Sequence, residues 1–310
     1  MPERRSREGT IEHSRPRRLE RQRAEELLRE RSRLRDAKDY AGADTLRDQL
    51  RDGGWGAVDS PEGSRLEQLG LPPVLRHVSM VTLLHGWPGD AQRWLDGVLA
   101  HTSAYDYEAL MVDNSGKPEV SSWAAGLEPS GLEAERLRVI TLDPLEGWAQ
   151  AANHALEAAA GEVVVLFDPG VELKGDVAGP LLDALADPEV AVAGAFGVRA
   201  VGRIGHFHAE PGPDVDAVEG YVLAFRRQDA LDAGGFDRKF RFYRLADFDL
   251  SYRLRDLRGG RARALPDLPV TKHEHRLWEA LDEEERERLS RRNYYRLLEV
   301  WGKRQDLLRQ

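Results

Sequence analysis

Between residues 77 and 270 the chain alternates short apolar runs with amphipathic stretches, the rhythm of strands and helices wound into a largely parallel sheet. Residues 77–84, 107–112, 137–142 and 162–167 read as strands, with 91–101 and 147–160 as helices between them. Within the last of these strands, Val163 to Phe167 is apolar at every position and closes on Asp168, with Pro169-Gly170 as an immediate turn. An α/β sheet binds ligands outside the carboxyl ends of its strands. Two acidic positions are delivered there, Asp168 and Asp113, the latter in Asp113-Asn114-Ser115-Gly116. Either aspartate would also serve as the cap of its own turn, because a short carboxylate bonds readily to backbone two residues on.

Further on, 181–186 reads as a helix, 190–196 as a strand, 201–213 as an irregular loop rich in Gly and Pro, 221–225 as a strand and 227–233 as a short helix. A helix follows at 245–257, an extended segment at 262–270, and a charged helical tail at 277–310 docked by Tyr294, Tyr295, Leu298 and Trp301. At the other end, 1–18 is charged and aperiodic and reads as disordered. Leu27, Leu28, Leu34 and Ala37 make the narrow stripe of one helix; Ala43, Leu46 and Leu50 make that of a second, which stops at Gly53-Gly54. The expected organisation is a basic arm (1–18), a helical hairpin (19–67), a linker (68–76), an α/β domain (77–275) and C-terminal helices (276–310).

Charge sharpens this division. Residues 1–51 carry 15 basic and 11 acidic side chains, net +4, whereas the remainder carries 30 and 43, net −13. The arm would suit nucleic acid, an anionic membrane surface or water. The absence of cysteine excludes disulfides, thiolate metal sites and thiol nucleophiles. No apolar run approaches a membrane span, and the Arg-rich start lacks the apolar core of a signal peptide, so a soluble cytoplasmic protein is expected, with peripheral attachment at the inner membrane face as a variant.

Three ordered blocks carry a resemblance. Residues 80–116 with HGWPGD and VDNSG, 139–173 with GWAQAANHAL and VVVLFDPGVEL, and 220–275 with GGFD, LADFDLSYRLRDL and TKHEH resemble the consecutive blocks of family 2 glycosyltransferases, and the tail LSRRNYYRLLEVWG resembles the helical end of many of them. The resemblance implies the GT-A fold, an α/β Rossmann-like sheet. It implies inverting transfer of a sugar from a nucleotide-diphosphate donor to an acceptor hydroxyl on a glycan, a lipid-linked or a small molecule. It further implies Asp113 and Asn153 beside the donor, Asp168 at the diphosphate and a divalent cation (Mg²⁺ or Mn²⁺), His273 as a late metal ligand and Asp247 as general base. His275, two residues beyond His273, would share its face in an extended segment, and Asp249 reads as structural. Trp87 or Trp148 would stack on a base or sugar, or fill core or rim.

The sequence departs from that family at three places. Gly170 stands where the second carboxylate of the metal motif belongs, with Glu172 two residues further on. Ala246 stands where an acid usually precedes the base, and His85-Gly86-Trp87 replaces a small hydroxyl residue and Asn. A non-catalytic GT-A domain that binds a nucleotide or a protein is therefore the alternative. Residues 27–67, with Lys38-Asp39, Ala43-Asp44 and Arg47-Asp48, resemble the C-terminal helical appendage of cysteinyl-tRNA synthetases, which implies a tRNA contact; a packing or oligomerisation hairpin fits the same residues.

Overall fold

The computed structural model describes residues 21–52, 55–60, 63–68, 77–127, 136–143 and 145–308. The arm 1–18 and the linker 68–76 fall outside these apart from Gln68. The chain divides into two compact units, Met1–Val74 and Leu75–Gln310.

In the first unit, α1 (Arg21–Asp36) and α2 (Tyr40–Asp52) lead into an antiparallel hairpin, β1 (Trp55–Ser60) and β2 (Gly63–Gln68). Helix α1 stops where Lys38 takes a left-handed backbone (φ 62), and Asp39 accepts from Gly42 N at 3.0 Å to open α2. Ala24, Leu27, Leu28 and Leu50 close over Trp55. That is a small core. A bidentate pair adds to it: Arg31 donates to both oxygens of Asp59 at 2.8 and 2.9 Å, and this holds the Asp59 carboxyl well below the usual carboxylate range.

In the second unit the order is β3 (His77–Leu84), α3 (Pro88–His101), β4 (Asp106–Asp113), α4 (Pro118–Ala125), β5 (Leu137–Thr141), α5 (Trp148–Ala158), β6 (Val163–Phe167) and β7 (Val171–Leu173). Then come α6 (Ala178–Ala186), β8 (Val190–Gly194), β9 (Gly197–Ala200), β10 (Phe207–Glu210), β11 (Asp214–Val215), β12 (Ala217–Val218) and β13 (Val222–Arg226). After these come α7 (Arg227–Asp232), α8 (Ala246–Arg258), β14 (Arg261–Ala264), β15 (Val270–Lys272), α9 (Arg276–Glu279) and α10 (Glu283–Trp301), followed by a 3-10 turn, Gln305–Leu307.

Eight strands form the central sheet in the order β11-β14-β8-β13-β6-β3-β4-β5. Strands β6, β3, β4 and β5 are mutually parallel, whereas β13 runs antiparallel between β6 and β8. Alternation along each strand divides the core in two. Val81, Leu83, Leu110, Val112, Val164 and Leu166 face α5 and α8; Met80, Leu84, Ala109, Met111, Val163, Val165 and Phe167 face α3 and α6. With both faces covered, each fully buried Val, Leu or Phe contributes on the order of 1.5–3 kcal/mol. Apolar side chains at every position of β6 are thereby explained.

Two smaller sheets rim the carboxyl edge. One is β10-β9-β12; the other pairs β7 with β15 in antiparallel register, Val171 opposite Lys272. The segment 201–213, read as a loop, contains β10. Its strand character comes from pairing with β9, Phe207 opposite Ala200, a contact that local composition does not encode. No helix among the described residues is long and apolar enough to cross a membrane.

Candidate active site

A cleft of about 480 Å³ opens at the carboxyl edge, lined by Asp168 from the end of β6, Gly220 and Tyr221 from the approach to β13, Asp247 from the start of α8, and Lys272 and His275 from β15 and beyond. The antiparallel insertion of β13 builds its centre. Because Val222 pairs with Phe167, the residues before β13 lie directly beside Asp168. Asp168 N donates to Tyr221 O at 3.1 Å, and the neighbouring Gly220 N donates to Asp247 Oδ2 at 2.7 Å. Position 220 needs glycine, since a Cβ there would meet the Asp247 Cβ at 2.9 Å.

Asp168 is tightly satisfied. Gly170 N donates to its Oδ1 at 2.8 Å, and Oδ2 lies 2.6 Å from His275 Nε2. Burial works against its charge, but the His275 bond and charge and the Gly170 N–H outweigh it and hold the carboxyl below its ordinary range. The His275 ring stacks on Tyr243, centroids 4.2 Å apart, and its Nδ1 accepts from Trp278 N at 3.4 Å. Beside them, burial pulls His85 down to about 4, so it is a neutral imidazole near pH 7.

His273 does not join this group. Strand β15 ends at Lys272 and His275 already caps α9, so the chain turns between the two histidines and they do not share a face. His273 Nε2 lies 2.9 Å from Glu172 Oε2, and Glu172 also holds Lys174 at 2.6 Å. Glu172 thus turns to His273 and Lys174, not to Asp168. A Cβ at Gly170 would sit 3.0 Å from Asp168 Oδ1 and 3.1 Å from Glu274 O, so the position that lacks a carboxylate is also closely surrounded.

Asp247 has a different setting. Leu245, left-handed at φ 65, starts α8 and aims Asp247 into the cleft, where Oδ1 accepts from Phe248 N at 2.9 Å. Burial lifts its carboxyl to about 6, with the nearby Glu219 charge adding to the rise and the Gly220 and Phe248 N–H groups opposing it. Asp249, by contrast, is buried and accepts from Trp301 Nε1 at 2.8 Å and Arg253 Nε at 2.6 Å; it ties α8 to α10.

Asp113 and Asn153 lie outside the cleft lining. Asp113 is 1% exposed and takes Ser115 N at 3.0 Å and Ser115 Oγ at 2.6 Å, an Asx turn. Asn153 clasps the main chain of Phe236, donating to its carbonyl at 2.9 Å and accepting from its N–H at 2.8 Å, so both ends of the amide are committed to anchoring the Gly234-Gly235-Phe236 turn. Trp148 lines the cleft edge-on to Phe236, 5.3 Å between centroids, while Trp87 lies beneath Lys117. Sequence reasoning left Tyr243, Glu219 and Lys272 unremarked. Tyr243 enters with the turn before α8, Glu219 with the approach to β13 and Lys272 with the β7–β15 pairing.

The sheet order and the cleft at its carboxyl edge are those of a GT-A glycosyltransferase. The profile of glycosyl transferase family 2 matches residues 89–250, more than half the chain, and the protein belongs to that family. Among solved structures, the fold is similar to GalNAc-T7 with UDP, GalNAc and Mn²⁺ (TM-score 0.58, 18% identity, 74% of this chain and 49% of that one). A second similarity is to the mannosyltransferase PcManGT from Pyrobaculum calidifontis in complex with GDP-Man and Mn²⁺ (TM-score 0.47, 19% identity, 67% and 61%). The chain thus spans about half the length of the first and under two thirds of the second. No curated protein matches it in sequence.

Proposed function

We propose that the protein transfers a sugar, with inversion, from a nucleoside-diphosphate donor to an acceptor hydroxyl, Asp168 serving the diphosphate side and Asp247 the proton. The observation that carries this reading is Asp247: a carboxylate at a helix start, lifted to about 6 and opening on the same cleft as the Asp168–His275 pair. A base with a pKa just below working pH is ionised yet still proton-hungry. The acceptor oxygen bonds to the anomeric carbon, its proton passes to Asp247 Oδ, and the electron pair of the broken bond leaves with the diphosphate.

A divalent cation fits the pair Asp168 and His275. Their 2.6 Å hydrogen bond brings one carboxylate oxygen and one imidazole nitrogen together, and a cation held there would take the place of the Nε2 proton, although no three His, Asp or Glu side chains among the described residues form a metal cluster. Diphosphate oxygens and water would complete the shell, and the nitrogen favours Mn²⁺ over Mg²⁺, which prefers oxygen alone. When bound, such a cation neutralises the leaving diphosphate. His275, not His273, is the histidine we assign to it.

The test is a thermal-shift screen of nucleotide sugars with Mn²⁺ or Mg²⁺, followed by slow donor hydrolysis. Stabilisation and hydrolysis by one nucleotide class support the reading, and neither with any donor sinks it. Binding without turnover across a broad acceptor panel would favour the non-catalytic alternative, to which the crowded Gly170 and Ala246 point. A glycan, lipid-linked or small-molecule acceptor, the placement in the cytoplasm or at its membrane face, and a tRNA contact through residues 19–67 are further proposals. The last predicts a steep salt dependence of tRNA binding that disappears when residues 1–65 are removed.

A further inference from the structure

One cation of the cleft has no part in that scheme. Lys272 is the last residue of β15, and its pairing with Val171 carries it past the Asp168 turn. Its Nζ stands 4.3 Å over the Tyr221 ring centroid and 3.7 Å from Glu219 Oε2, outside hydrogen-bond range, with the side chain 49% exposed. Tyr221 is the residue whose carbonyl takes Asp168 N, and Glu219 precedes the glycine that bonds Asp247. The ammonium is therefore held above the short stretch that joins the two carboxylates. Of the other cationic side chains that line the cleft, among the described residues, Arg244 lies over Trp278 at 4.7 Å and is hydrogen-bonded to Tyr243, and His275 is bonded to Asp168.

A half-exposed ion pair such as Lys272–Glu219 is a weak hold in water, and an ammonium on a flexible stem can exchange it for a stronger anion. The demand exists next to it. Gly170 brings no carboxylate, and Glu274 O closes on that position, so the diphosphate must meet more of its countercharge from side chains.

We propose that Lys272 is a direct contact of the leaving nucleoside diphosphate, a proposal that rests on the transferase reading of this cleft. As the bond between the anomeric carbon and the diphosphate oxygen breaks, its electron pair stays on that oxygen. The acceptor oxygen forms the new bond and yields its proton to Asp247, while the Lys272 ammonium leaves Glu219 and meets the charge gathering on the terminal phosphate.

The test uses the full-length protein and calorimetric titration of UDP, GDP, dTDP and ADP, each beside its monophosphate, with Mn²⁺ and with chelator. Lys272→Met is expected to weaken the bound diphosphate on the order of tenfold, to leave the monophosphate nearly unchanged and to flatten the salt dependence. Lys272→Arg should restore most of the difference. An unchanged diphosphate affinity in Lys272→Met overturns this proposal alone and leaves the transferase reading standing. Equal losses for mono- and diphosphate, or a lowered melting temperature in both variants, also overturn it, because they mark a residue that supports the fold. A wild-type protein that binds no diphosphate overturns both readings together.

Discussion

The two carboxylates of the cleft sit in opposite surroundings. At the Asp168 end, a histidine and a backbone N–H outweigh burial and keep the acid charged; at the Asp247 end, burial wins over two N–H donors and a neighbouring Glu219 adds to it. The same residue type is thus held below its ordinary range in one place and raised to about 6 in the other. How an acid titrates is set by what faces it, not by what it is.

The largest effect that could break this comparison is on turnover. Asp247→Asn is expected to lower kcat by roughly 10²–10⁴-fold while donor affinity measured by calorimetry stays put. If kcat falls less than about tenfold, another group takes the proton. Next in size, His275→Phe keeps a ring against Tyr243 but removes the nitrogen beside Asp168. The Mn²⁺ concentration for half-maximal activity should rise by about 10–100-fold, and an unchanged value would remove His275 from the cation site.

A smaller effect sharpens the Asp247 end. In the wild type, kcat/KM should fall about tenfold per pH unit below about 6, as the base becomes protonated. Glu219→Gln removes a negative neighbour that raises this pKa, so the acid limb should move to lower pH by a few tenths of a unit to about one. A limb that stays in place separates Glu219 from the base.

The smallest effect is on stability. Folding raises the Asp247 pKa from 3.8 to about 6, so the folded state binds the proton more tightly and the carboxyl costs stability once ionised. That cost is present above about pH 6 and disappears as pH falls toward 4. The melting temperature of Asp247→Asn minus that of the wild type should therefore be a few degrees larger near pH 7.5 than near pH 4.5. The reverse sign would mean that hydrogen bonding, not burial, governs this acid.

Much of the frame is legible in the residues. The strand β6 coincides with the uninterrupted apolar run Val163–Phe167, and β3 and β4 end where polar residues take over, at His85 and Asn114. Buried parallel strands must be apolar on both faces, so they announce themselves. What stayed hidden depends on long-range pairing. Residues 55–68 form a hairpin in place of a continuation of the helical pair, and Phe207–Glu210 is a strand only because β9 lies beside it. Helix α4 begins at Pro118 in a stretch without strong periodicity.

The site divides along the same line. Asp168 is legible as a strand-end acid because the apolar run of β6 gives its boundary, whereas Asp247, in the first turn of α8, is singled out only by the resemblance of its block. The expectation that His273 and His275 share a face depended on the chain staying extended through both, and β15 stops at Lys272, whereas the role given to His273 came from the resemblance. Asn153 sits at the right place along α5, yet its amide serves a turn 83 residues away, a partnership that spacing cannot reveal. Asp249 was separable from Asp247 as structural, and its buried bond to Trp301 gives the reason.

The adjoining residues Gly220 and Tyr221 act as a ruler. One reaches Asp247 through its N–H and the other reaches the main chain of Asp168 through its carbonyl, so the span between the two carboxylates is set by two consecutive residues of main chain. Side-chain exchanges around the rim can retune affinity without altering that span. Lengthening or shortening the chain by one residue between Glu219 and Val222 would throw the two ends out of step, which makes this segment the one to leave intact when the surrounding loops are exchanged for new acceptors.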